Sequence, residues 1–104
     1  MSTNNNSGGV GFCDFDRVLS LAIQRYGTTS QIHMAIEEMA ELTNALMKDM
    51  RGRVTADDII TEVADVTIMM RQLSLILGDD KVSAEIERKV NRLETRLMTG
   101  SKIP

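Results

Sequence analysis

Two short acidic clusters flank Gly52 in this 104-residue chain: Glu37-Glu38-Met39-Ala40-Glu41 before it and Glu62-Val63-Ala64-Asp65 after it. Both sit in otherwise apolar helical stretches, where carboxylates are costly unless a cation or proton neutralises them. Residues three apart share a helix face, so Glu38 pairs with Glu41 and Glu62 with Asp65. Each helix thus carries a two-carboxylate claw. A single Glu-x-x-Glu usually marks a solvated face, but a matched pair on the next helix points to one site. Four converging carboxylates call for a hard divalent cation. Magnesium suits them because it prefers oxygen ligands, keeps several waters and bridges carboxylates to phosphate oxygens; manganese fits the same ligands. A di-iron centre is disfavoured, since such bundles use Glu-x-x-His pairs and the only histidine, His33, lies outside both claws.

The elements that must position the claws are helical. Val18, Leu19, Ala22 and Ile23 recur at helical spacing and predict a first helix from Asp14 to Tyr26, stopped by Gly27. Thr28, Thr29 and Ser30 are N-cap candidates for a second helix from Ser30 to Arg51. Its apolar positions Ile32, Ala35, Ile36, Met39, Leu42, Leu46 and Met50 follow a 3.6-residue period. Thr55 with Asp58 forms a capping-box pattern for a third helix ending at Leu77 before Gly78. That helix is apolar on nearly every face, so it belongs at the centre of the fold or at a subunit interface. A fourth, Asp80 to Met98, carries Val82, Ile86, Val90, Leu93 and Leu97 on one stripe.

No strand-like alternation is present, and the only proline is the last residue, Pro104. The expectation is an all-α, four-helix antiparallel bundle completed by oligomerisation, forming a single domain over residues 12–104 after a loose tail of Asn, Ser and Gly at 1–11. At a rise of about 1.5 Å per residue, Glu41 lies about 15 Å before the turn and Glu62 about 10–12 Å after it. The claws can therefore face one another.

Composition bounds the function. Hydrophobic residues make up 42% and charged ones 26%, a soluble globular balance. A net charge of −3 argues against a partner that is a nucleic acid polymer or an anionic membrane, either of which needs a basic face. Cys13 is the single cysteine, which excludes an intrachain disulfide and a cysteine-based zinc site and fits a reducing cytoplasm. No stretch reads as a signal peptide or membrane span, so a protein neither secreted nor membrane-embedded is expected.

Glu-Glu-x-x-Glu-Leu at 37–42, followed by Glu-x-x-Asp-Val at 62–66, resembles the signature of the MazG-type all-α nucleoside triphosphate pyrophosphohydrolases. The resemblance runs from about Gln31 to Leu97 and includes the four-helix layout. It implies magnesium on Glu38, Glu41, Glu62 and Asp65, a homodimer or homotetramer with sites completed between subunits, and hydrolysis of ribo- or deoxyribonucleoside triphosphates between the α- and β-phosphates, as in nucleotide-pool sanitation. Glu38 or Glu41 is the candidate general base. Lys89 and Arg92 share a face of the fourth helix and are the candidate phosphate contacts; the competing reading pairs the cations there with Glu85, Glu87 and Glu94 on a solvated surface. Glu37 is either beside the metal ligands or solvated, and Gln31, His33 and Asn44 could reach base or sugar. With no tryptophan, base stacking falls to Phe12, Phe15, Tyr26 or apolar side chains. Two alternatives stay open: a phosphoribosyl-nucleotide pyrophosphohydrolase using the same claws, and a helical interaction module in which the acids are incidental.

Overall fold

Four helices account for nearly all of residues 12–100, the part that this computed structural model describes: α1 Phe12–Tyr26, α2 Thr28–Asp49, α3 Ala56–Leu77 and α4 Asp79–Thr99. No strand occurs among the described residues. The expected tail at 1–11 and the side chain of Phe12 lie outside them.

The junctions show why the chain breaks where it does. Gly27 stands at φ 89°, in the left-handed region that favours glycine, between α1 and α2. Its N–H donates to the Ile23 carbonyl at 2.9 Å, and its own carbonyl accepts from Gln31 N at 3.1 Å. The backbone alone completes this corner. Thr28, Thr29 and Ser30 accordingly form the first turn of α2 instead of capping it, and no side chain caps that end. Between α2 and α3 the Arg51 and Arg53 N–H groups both donate to the Lys48 carbonyl, at 3.0 and 2.9 Å, around Gly52 at φ 70°. Thr55 and Asp58 then make the expected capping box. Asp58 N donates to Thr55 Oγ1 at 3.3 Å, and Thr55 N donates to Asp58 Oδ2 at 3.0 Å. The Thr55 N–H and hydroxyl, which both donate to Oδ2, hold the Asp58 carboxyl below its ordinary range.

The apolar α3 is the centre of the fold and packs against all three other helices; its broadest interface is with α2, and α1 rests on both. Ala35 and Ala45 of α2 are buried with Met69 of α3, so small side chains let the two helices approach closely. Gln72, 2% exposed, donates a long 3.5 Å bond to the Leu19 carbonyl, while its Oε1 has no partner. A charged clasp adds the fastening that periodicity does not reveal. The Arg71 guanidinium donates to both Asp16 oxygens at 2.8 and 2.7 Å and to Asp79 at 2.6 Å, tying α1, α3 and α4 together. This keeps the Asp16 carboxyl below its usual range.

The four helices fit the expected all-α bundle, with the fourth at its edge. This fourth helix packs on α3 but on neither α1 nor α2, and none of its residues is buried. Its stripe faces outward: Ile86 and Val90 are 56% exposed, Leu93 44% and Leu97 73%. Ile60 and Ile68 of α3 are also exposed, and no large side chain among the described residues is fully buried. The radius of gyration, 17.2 Å, exceeds the roughly 13 Å typical of a compact domain this long.

Candidate active site

The α2–α3 hairpin brings the two claws together. Of the charges acting on Glu38, Asp65 is the strongest, followed by Glu41 and Glu62; of those acting on Glu62, Glu41 is the strongest, followed by Asp65 and Asp58. Glu38 therefore stands opposite Asp65 and Glu41 opposite Glu62, the antiparallel register that the helical spacing predicts. Partial burial is the larger cause and like-charge repulsion the second, and together they push the Glu38 and Glu62 carboxyls above their ordinary value of 4.5. The nearness of Glu41 on the same helix face raises the Glu38 carboxyl further.

Below this acidic pair of rows a cleft of about 290 Å³ runs towards the Gly52 turn. Glu41, Asn44 and Lys48 line it from α2, and Asp58, Thr61 and Glu62 from α3. Glu62 Oε2 is buried there with no hydrogen-bond partner. A buried carboxylate oxygen left without a donor is expensive, and a cation is the simplest group to relieve it. An all-oxygen donor set of this kind suits magnesium or manganese. In the folded single chain, however, no three His, Cys, Asp or Glu side chains among the described residues are already arranged to hold a metal ion.

The other candidates distribute unevenly. Asn44 lies in the cleft. Glu37 instead lines a separate open depression with Tyr26, His33 and Met34, where α1 meets α2. Gln31 is 4% exposed, held within the helix packing and outside the cleft lining. Phe15 and Tyr26 are exposed on α1 and do not line the cleft. Lys89 lies 3.8 Å from Glu85, which also binds Arg88, so the surface-pairing alternative for α4 is realised at Lys89. With α4 clear of α2, one chain does not bring Lys89 and Arg92 onto the claw of α2.

Sequence reasoning missed Lys48 and Thr61 and read Asp58 only as a cap. Their signal is helical spacing for two of them: Lys48 follows Glu41 by two turns, and Asp58 precedes Glu62 by four residues on its own face, whereas Thr61, adjacent to Glu62, carries no such signal. Comparison with protein-family models, with curated proteins and with solved structures finds no match for this chain. Among the described residues no helix is long and apolar enough to cross a membrane.

Proposed function

We propose that the protein is a magnesium-dependent nucleoside triphosphate pyrophosphohydrolase of the MazG type, working in the cytoplasm as a homodimer or homotetramer. The observation that carries this reading is the opposition of Glu38 and Glu41 to Asp65 and Glu62, with Glu62 Oε2 left unpartnered. Bound magnesium supplies positive charge to the polyphosphate and acidifies a water, and manganese can take its place. Glu38, Glu41, Glu62 and Asp65 would hold it.

The residues suggest how the proton moves. Glu38 binds protons more tightly than an ordinary carboxylate, because burial and three neighbouring acids disfavour its charge. A bound cation would reverse that preference in a ligand, so the general base is whichever of Glu38 and Glu41 the metal leaves free. The water's proton passes to Glu38 or Glu41 as the water oxygen joins phosphorus and the anhydride bond between the α- and β-phosphates breaks. A monophosphate and pyrophosphate leave. Lys89 and Arg92 act on phosphate from a neighbouring subunit, whose docking on the exposed stripe of α4 completes the site.

The test is a panel of ribo- and deoxyribonucleoside triphosphates with magnesium, reading which products form. Release of pyrophosphate with monophosphate is expected, lost on replacing Glu38, Glu41, Glu62 or Asp65 by Ala; full activity in all four variants would refute the assignment. Turnover of a phosphoribosyl-nucleotide alone would select the related hydrolase. No hydrolysis with any divalent metal, and no metal-dependent change in melting temperature, would leave a helical interaction module.

A further inference from the structure

The cleft changes sign along its length. Glu41 and Glu62 line it, with Glu38 and Asp65 beyond its lining on the side away from the turn, and Lys48 lines it beside Asp58 where it approaches the α2–α3 turn. The adjoining turn carries Arg51 and Arg53, outside the cleft lining, whose backbone N–H groups both fold back on the Lys48 carbonyl, so three cationic residues fall in segment 48–53. Among the described residues none of the three takes part in an ion pair, although Asp49, Asp57 and Asp58 are close in sequence. An acidic cleft repels a polyphosphate at every point except where a cation is held or built in. Lys48 is the only cationic side chain that lines this one. The volume, about 290 Å³, falls at the lower edge of the roughly 300–1,000 Å³ that encloses a drug-sized ligand. It suits a phosphate chain better than a whole nucleotide.

We infer that the substrate lies in the cleft in one direction, with its β- and γ-phosphates at the Gly52 turn on Lys48, Arg51 and Arg53, and its α-phosphate and nucleoside towards Glu38 and Asp65. This rests on the pyrophosphohydrolase reading above. It makes Lys48 a binding residue for the leaving pyrophosphate. The competing role for the same cations is to complement the C-terminal end of the α2 dipole in solvent, which affects stability and not ligand choice.

Product inhibition separates the two roles. In the full chain with magnesium, Lys48→Ala should raise the inhibition constant for inorganic pyrophosphate about tenfold or more, as expected for losing a charge-assisted hydrogen bond, and leave that for nucleoside monophosphate unchanged. KM should rise with it, Lys48→Arg should restore most of the affinity, and Arg51→Ala/Arg53→Ala should act in the same sense at an unchanged melting temperature. Calorimetric titration with magnesium pyrophosphate gives the same comparison without turnover. If wild type hydrolyses nucleotides but its pyrophosphate affinity is indifferent to Lys48, or only monophosphate binding weakens, the orientation is overturned while the activity stands. If no nucleotide is hydrolysed yet pyrophosphate binding depends on Lys48, the activity falls and the basic end of the cleft stands. Wild type that binds no pyrophosphate overturns the inference.

Discussion

Under the proposed oligomeric assembly, replacing Val90 and Leu93 together by Asp should leave a monomer without unfolding a single chain's helices. In one chain neither side chain is buried, and α4 packs on α3 alone, so the change touches no buried core residue. Ile86, Val90, Leu93 and Leu97 together expose rather more than two whole side chains' worth of surface. At about 1.5–3 kcal/mol for each side chain fully buried, covering the stripe contributes about 3.5–7 kcal/mol per chain, and twice that across a twofold interface. That is comparable with the roughly 4–15 kcal/mol that association costs, so the stripe is decisive only together with further apolar surface such as Ile60 and Ile68. Val90 and Leu93 supply about one side chain's worth per protomer, or about 3–6 kcal/mol per dimer. Losing it weakens association about a hundredfold to ten-thousandfold, before the added cost of burying two carboxylates on each side. Sedimentation equilibrium and thermal melting over a wide concentration range provide the assay. Wild type should exceed the 11.6 kDa of one chain and melt higher as concentration rises, and the variant should do neither. A wild-type protein that stays at 11.6 kDa with a concentration-independent melting temperature would refute the reasoning.

Two further predictions concern the charges. The Glu38 and Glu62 carboxyls lie above their ordinary 4.5 in the folded chain, so at the same pH the folded state holds more protons there than the unfolded state. Metal-free protein should therefore lose stability as pH rises from 4.5 through the raised values, and Glu62→Gln should flatten that decline while lowering the melting-temperature gain from magnesium; an unaltered pH profile in this variant would count against repulsion at the site. Arg71→Lys should lower the melting temperature nearly as far as Arg71→Ala, because an ammonium cannot reproduce the guanidinium's paired bonds to Asp16 while also holding Asp79. Full rescue by Lys would show that charge alone fastens the three helices.

The helices and the claws were legible in the sequence because both follow from local periodicity. Apolar residues at helical spacing define α1 to α4, Thr55 and Asp58 mark the start of α3, and carboxylates three apart must share a face whatever surrounds them. The antiparallel register that sets Glu38 against Asp65 and Glu41 against Glu62 needed only the short Gly52 connection in addition. Other features depend on residues distant in the chain, and no periodicity encodes them. Arg71 reaches Asp16 from 55 positions away, Gln31 is taken into the packing, Glu37 turns to a different depression, and Gly27 displaces the three hydroxyl residues expected to cap α2. The placement of α4 is the largest such difference. Its apolar stripe is plain in the sequence, but a stripe states only that something must cover it. Tertiary packing decided that α4 docks on α3 alone, which leaves its stripe outside the fold of its own chain.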